Sequence, residues 1–347
     1  MIAPKIICTV LFLSLAMACG RADDSLLKSQ SSCQLAPACK QGLPSLPAAK
    51  GFASFYKKAM TAIGKPHHRG RDVLAVSGAP INIHAKFSYG ITDNDLKGEP
   101  IDLYLSSSCT SPLKKIGSVR TTEDDQHETV DNISDSGGRI YAKLSDFGIK
   151  NLPVGRHRLV FVVPADNSTT ELYINIIAAK SAIVITDIDG TLTTSEMSAA
   201  TEIIGIKPAA HPGAAQAMQA LYASGRSIFY LTARPDWLMS KTRDWLKAKG
   251  FPPGTIHTTN VRFGAQGNAA ANFKKLEIEE LKLKTGITPD YAFGNKPSDV
   301  KAFGDGNIPA KHSYYFKLSG DALGGTIHSN YTNLLPGFKA LPNVCSR

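Results

Sequence analysis

Two aspartates one residue apart, Asp187 and Asp189, close the apolar run Ala182 to Ile185 and are followed at once by Gly190-Thr191. The run is rich in β-branched residues and reads as a strand buried on both faces, as parallel sheets use. Residues i and i+2 of a strand share a face, so both carboxylates point into one small volume. Open α/β sheets bind ligands there, at the carboxyl ends of their strands. Crowded carboxylates repel one another unless a cation lies between them or one holds a proton. Gly190 lets the chain turn away sharply. The ordinary alternative is a turn carrying two solvated acids.

Further groups follow later strands. Thr232 follows the apolar strand Ser227 to Leu231, Lys274 and Lys275 lie in the helical stretch Asn272 to Thr285, and Asn295 and Asp299 follow the strand Tyr291 to Phe293. Each alone has a plain explanation: Thr232 as a helix cap, Lys274 as a surface lysine, Asn295 as a turn former. Together they match one chemistry. Hydrolysis of a phosphate monoester needs a nucleophile, a proton for the leaving oxygen and positive charge around the phosphoryl oxygens.

Asp187-Ile188-Asp189-Gly190-Thr191 resembles the DxDGT signature of the haloacid dehalogenase superfamily of phosphotransferases. Leu231 to Pro235, Phe273-Lys274 and Phe293-Gly294-Asn295-Lys296-Pro297-Ser298-Asp299-Val300 narrow the likeness. They resemble the lipin-type phosphatase domain, which also closes the retinal-degeneration-B class of phosphatidylinositol transfer proteins. The likeness covers about Lys180 to Phe316, and the region ahead of it is similar too. The resemblance implies that Asp187 attacks phosphorus and forms an aspartyl-phosphate. It implies that Asp189 protonates the leaving group and then activates water. Thr232 would bond the phosphoryl group, and Lys274, with Lys275 as the neighbouring alternative, would neutralise charge. Mg2+ would take an Asp187 oxygen, the Asp189 carbonyl and Asn295, with Asp299 near a metal-bound water. The implied substrate is phosphatidate or a related lipid phosphomonoester at a membrane surface. Some relatives lack the aspartates and only bind lipid, whereas both are present here. The rival readings are a non-catalytic phosphatidate-binding module and a phosphatase for soluble phosphomonoesters or nucleic-acid ends.

The surrounding pattern supplies the scaffold. From residue 72 to residue 179 apolar residues alternate, as in Ile81-Ile83-Ala85-Phe87 and Leu172-Ile174-Ile176, between turn clusters such as Asp135 to Gly138. Short strands so spaced predict a β-sandwich of immunoglobulin-like class. No catalytic constellation stands out there, and His84, His127 and His157 read as surface or structural histidines. From residue 180 to residue 347 strands alternate with helices, which predicts a doubly wound parallel α/β sheet. The intervals from Thr191 to Thr232 and from Thr232 to Lys274 leave no room for a folded lid. An open, capless site suits a bulky substrate presented at a surface.

The chain has 347 residues, 43% hydrophobic, with a formal net charge of +10. This composition suits a packed two-domain protein. A basic surface favours anionic partners; the densest group, Lys65 to Arg71, reads as a solvated linker, and no nucleic-acid partner is expected. Residues 1–18 read as a signal peptide: Lys5, an apolar core from Ile6 to Leu15, and Ala16-Met17-Ala18 for cleavage. Cys19 follows, in a setting similar to a bacterial lipoprotein box though Ala16 and Met17 depart from it. The expected location is therefore exported, either a cell-envelope lipoprotein or a secreted or periplasmic protein. Residues 19–71 read as a tether with a short amphipathic helix from Phe52 to Ile63. Export permits disulfides, and Cys33 with Cys39 is the expected local bridge. No CxxC pair or Cys/His cluster suggests zinc.

Overall fold

A computed structural model gives the fold; the structure describes Cys39 and residues 41–90, 92–195 and 208–344. The expected signal peptide, Cys19 and Cys33 lie outside the described residues.

The first folded unit is a β-sandwich. Its strands, in chain order, are β1 (Arg69–Gly70), β2 (Val73–Val76), β3 (Asn82–Lys86), β4 (Ser88–Tyr89), β5 (Asn94–Asp95), β6 (Pro100–Ser106), β7 (Lys114–Arg120), β8 (Arg139–Lys143), β9 (Gly155–Val162) and β10 (Thr169–Ile177). One sheet runs β1-β3-β8 and the other β2-β10-β9-β6-β7, with β4 and β5 as a small hairpin. The alternation predicted from sequence sets the packing. Ile83, Phe87, Ile101, Leu103, Leu159, Phe161 and Ile174 are buried together in one core. The opposite face of β9, Val160 and Val162, is also apolar and buried, with Tyr104 and Leu113, under Leu43 and Leu46.

That second face changes the reading of the tether. Residues 41–51 lie along the sandwich: Arg158 donates to the Gln41 carbonyl (2.5 Å), Lys50 N to Pro164 O (2.9 Å) and Gly51 N to Ala165 O (2.8 Å). Cys39 is bridged to Cys109 and not to Cys33 as expected. Leu43 and Leu46 lay this segment beside the strand that carries Cys109 into its turn, which a count of sequence spacing cannot see. The expected helix is present as α1 (Phe55–Ile63). It packs through Met60, with Phe52 buried just ahead of it, while Phe55 and Tyr56 of the anticipated stripe face water.

The second unit is a six-stranded, wholly parallel sheet: β11 (Ile183–Thr186), β12 (Ser227–Pro235), β13 (Thr255–Thr259), β14 (Tyr291–Gly294), β15 (Ser313–Phe316) and β16 (Thr326–His328). Its order is β13-β12-β11-β14-β15-β16. Strand order thus reverses between β11 and β14, and such a switch point opens a crevice at the carboxyl ends. Around the sheet lie α2 (Ala214–Ala223), α3 (Met239–Ala248), α4 (Gly267–Thr285), α5 (Pro297–Asp305) and α6 (Leu335–Lys339). Strand β11 is buried on both faces, as its composition predicts. Val184 joins the core with Met218 and Leu221, and Ile183 and Ile185 join the core with Ile278 and Phe303 on the other side.

The two units share a polar seam and part of a core. Asp72 binds Arg243 (2.6 Å) and the amides of Tyr173 (2.8 Å) and Ile256 (3.1 Å). Glu277 of α4 binds both Arg71 (2.6 Å) and His257 (2.5 Å). Leu74 and Ile177 of the sandwich are buried in the same cluster as Ile183, Phe229 and Ile278.

Candidate active site

The register brings the predicted residues to one edge. Thr186 pairs with Tyr230 on one side and Phe293 on the other, so Asp187, Thr232 and Asn295 all emerge at the carboxyl ends of three adjacent strands. Asp187 N donates to Phe293 O (2.9 Å), which carries the strand geometry one residue past β11. Gly190 then turns with φ of +75°, a region that L side chains rarely adopt, and a Cβ there would run into the Asn295 amide. The turn thus fixes Asn295 against the aspartate loop.

Helix α4 delivers Lys274. Its Nζ lies 2.9 Å from Asp187 Oδ1 and 2.5 Å from Asp299 Oδ1, and all three side chains are buried. Lys275, a hundred degrees round the helix, is solvent-facing and pairs with Glu279 (3.6 Å). Of the two candidates, Lys274 is therefore the one at the site. Burial pushes the Asp187 carboxyl up to about 6; Lys274 opposes that push, while Asp299 and Asp189 add to it. Burial would lower Lys274, but Asp187 and Asp299 outweigh it and hold the ammonium above its ordinary value. The Lys274 ammonium by itself lowers Asp187. It is shared, and sits closer to Asp299, so Asp187 is left incompletely compensated.

Asp299, expected beside a metal-bound water, sits behind Lys274. It is fully buried: Oδ1 accepts from Lys274, and Oδ2 accepts from the amides of Asn295 and Lys296 (2.9 Å each). With no solvent contact and both oxygens engaged, it holds Lys274 and the loop after β14. Thr232 likewise turns inward, donating to Asp189 Oδ2 (3.2 Å) and accepting from Arg234 N (3.3 Å).

Arg234 was given no separate role by the sequence. Its Nε and Nη2 reach the two oxygens of Asp189 at 2.7 Å each, while Nη1 donates to Thr242 (3.0 Å). Bidentate guanidinium–carboxylate pairs fix geometry as well as charge. The available signal was an arginine shortly after the apolar run Ser227 to Leu231, in the segment Leu231 to Pro235.

The donor set tests whether a hard cation fits. The Thr191 hydroxyl lies 3.2 Å from Asp187 Oδ2 and 3.1 Å from Asn295 Oδ1, and so ties these two side-chain oxygens to the same turn. Oxygen donors of this kind suit Mg2+. Among the described residues no group of three His, Cys, Asp or Glu side chains could hold a metal ion; here Arg234 occupies Asp189 and Lys274 occupies Asp299. A cation beside this turn would rest on one carboxylate, one amide oxygen and backbone. The cleft itself has a volume of about 280 Å³ and is lined by Asp187, Asp189, Arg234, Lys274, Lys296 and Phe263, among others.

A parallel sheet with a carboxylate closing its central strand at the switch point, and a lysine reaching it from a later helix, defines a haloacid dehalogenase-like domain, here preceded by a β-sandwich. Residues 184–317 match the family model "PITM 1-3, LNS2 domain", and residues 66–176 match "PITM 1-3, beta-sandwich domain". The two matched stretches follow one another along the chain, the sandwich first. Protein retinal degeneration B of Drosophila melanogaster is 24% identical over 275 residues, covering 79% of this chain and 20% of that protein. Human membrane-associated phosphatidylinositol transfer protein 1 is 28% identical over 249 residues, covering 72% of this chain and 18% of that protein. The chain therefore spans about a fifth of the length of the curated relatives it matches. Among solved structures, the cobalt-bound deoxy-D-mannose-octulosonate 8-phosphate phosphatase of Haemophilus influenzae is 15% identical and covers 46% of this chain and 90% of its own, with a TM-score of 0.32, an overlap too low to argue from.

Proposed function

We propose that this chain is a magnesium-dependent phosphomonoester phosphatase whose substrate is phosphatidate or a related lipid phosphate. The observation that carries the reading is Asp187, a buried carboxylate at the mouth of a cleft, gripped on one oxygen by Lys274. In the proposed first step an Asp187 oxygen attacks phosphorus, the phosphorus–alkoxide bond breaks, and Asp189 gives its proton to the departing oxygen. In the second, water attacks the aspartyl-phosphate while Asp189 takes a water proton, releasing inorganic phosphate and restoring Asp187. Lys274 balances charge on the phosphoryl oxygens. Asp187, Asn295 and the Asp189 carbonyl would hold Mg2+, which supplies further positive charge beside those oxygens when bound. For Asp189 to move a proton, Arg234 must release one of its oxygens, and an arriving phosphate offers that guanidinium another acceptor.

The same grip favours a second reading, phosphate binding without turnover, because Asp189 is already held on both oxygens. Release of inorganic phosphate from dispersed phosphatidate, measured with and without Mg2+, separates the two. Magnesium-dependent release supports the phosphatase; saturable vesicle binding with no release supports the binding module. Short-chain and nucleotide phosphomonoesters assayed alongside test whether lipid is the preferred class.

Export is part of the proposal, resting on residues 1–18; the Cys39–Cys109 bridge supports an oxidising compartment. An acyl anchor on Cys19 would keep the protein on membranes washed with high salt, and Cys19→Ser would release it.

A further inference from the structure

The turn between β13 and α4 exposes two apolar side chains, one of them at the edge of the cleft. Phe263 is 78% exposed and Val261 48% exposed, yet Phe263 also lines the cleft that holds Asp187 and Asp189. The turn is firmly built. Gly264 N closes it on Val261 O (2.9 Å), and Ala265 N donates to Ala233 O (3.0 Å). Gly264 has φ of +82°, and a Cβ there would lie 2.8 Å from the Ala233 carbonyl oxygen. Trp237 Nε1 donates to Arg262 O (2.8 Å), and Arg262 reaches across to the Thr92 carbonyl of the sandwich (3.2 Å). The turn thus holds the Phe263 ring outward, with the Arg262 guanidinium 5.6 Å from its centre.

The other side of Phe263 borders a groove of about 680 Å³, where Lys241 and Arg262 stand beside Arg69, Arg158 and Arg243, whose charges are met by Asp93 and Asp236, Glu171 and Asp72. We propose that Val261 and Phe263 form an insertion tip that enters the interface of an anionic lipid bilayer, with the basic groove over the headgroups, so that the cleft opens at headgroup level. This deepens the proposed function and rests on it only for what the cleft holds. Two features favour lipid over a protein partner. A tip of two apolar residues is far smaller than the roughly 800 Å² per side of a stable protein interface. Lys241 and Arg262 beside it suit the diffuse negative potential of an anionic leaflet, which adds attraction for each nearby Lys or Arg.

Vesicle sedimentation tests the proposal on the full chain carrying Cys19→Ser, so that no acyl chain contributes. Phosphatidylcholine vesicles with and without phosphatidate are compared. Phe263→Ser is expected to weaken binding to the anionic vesicles about tenfold. Phe263→Trp, which suits the interface and keeps the ring, is expected to retain it. Leu283→Ser serves as the control: Leu283 is 87% exposed but twenty residues further along the chain, near the far end of α4, and its loss is expected to change nothing. The proposal is overturned if Phe263→Ser binds like the parent chain, if Leu283→Ser weakens binding as much, or if neutral vesicles bind as tightly as anionic ones. Phosphate release is not the readout, so a protein that proves to hydrolyse nothing would sink the phosphatase reading and leave this one standing.

Discussion

Lys274 lies between two carboxylates and is nearer to Asp299, at 2.5 Å, than to Asp187, at 2.9 Å. The cation at the heart of the site is thus anchored by a residue that water does not reach, and Asp187 takes only a share of it.

That arrangement separates chemistry from stability at Asp187. Asp187→Asn leaves Lys274 paired with Asp299, so the fold should lose no more than about 1 kcal/mol. Turnover should fall by several powers of ten, each about 1.4 kcal/mol of barrier, because an amide cannot form the aspartyl-phosphate. Denaturant unfolding and phosphate release on the same sample check both. Retention of parental turnover would remove Asp187 as nucleophile.

Lys274→Met should behave in the opposite way. It strands two buried carboxylates without their cation, at a cost of about 3–5 kcal/mol, and abolishes phosphate release. Lys275→Met, on the solvent side, should stay within about 0.5 kcal/mol of the parent. Equal effects from the two would overturn the assignment of Lys274.

Arg234 is expected to act by positioning Asp189. Arg234→Lys keeps a charge but cannot hold both oxygens, and kcat should drop about tenfold or more while KM changes less. A change confined to KM would mean that Arg234 serves the ground-state phosphate instead. Thermal unfolding of the same variant reports whether the clamp also supports the fold.

The seam between the units predicts a pH effect. Burial would raise the Glu277 carboxyl, but Arg71 and His257 outweigh it and hold it down from 4.5 to about 2. A group depressed on folding contributes stability above its unfolded value, and that contribution disappears as pH falls through its folded value. Glu277 should therefore contribute about 3 kcal/mol at neutral pH, declining below pH 4.5 and gone near pH 2. Glu277→Gln should be less stable than the parent at pH 7, with the gap closing in acid. A gap that stays constant from neutral pH to pH 2 would rule this out.

Strand β11 and its aspartates were legible because burial on both faces writes itself as an unbroken β-branched run. Strands β12 and β14 were legible as short apolar and aromatic runs that end in polar groups. Strand β7 was not, since Lys114 to Arg120 lie at a sheet edge, half in water, where alternation has no core to enforce it. The choice between Lys274 and Lys275 was open because helical period fixes the angle between neighbours but not which one meets the sheet. Arg234 and the Asp299 clamp were hidden for a related reason: sequence shows that charged groups follow strands, and only the packed structure shows which of them satisfy one another. The segment from residue 41 to residue 51 looked like a tether because its two leucines gain meaning only against the second face of β9.

Leu74 and Ile177 belong to the sandwich by chain and to the parallel-sheet unit by burial. A calorimeter should accordingly record one melting transition for both units. Recombination that carried off residues 180–347 alone would expose the apolar patch those two side chains cover and leave Glu277 without Arg71. The two units are thus a single heritable piece, and a fusion or truncation placed between them must supply a substitute for both contacts.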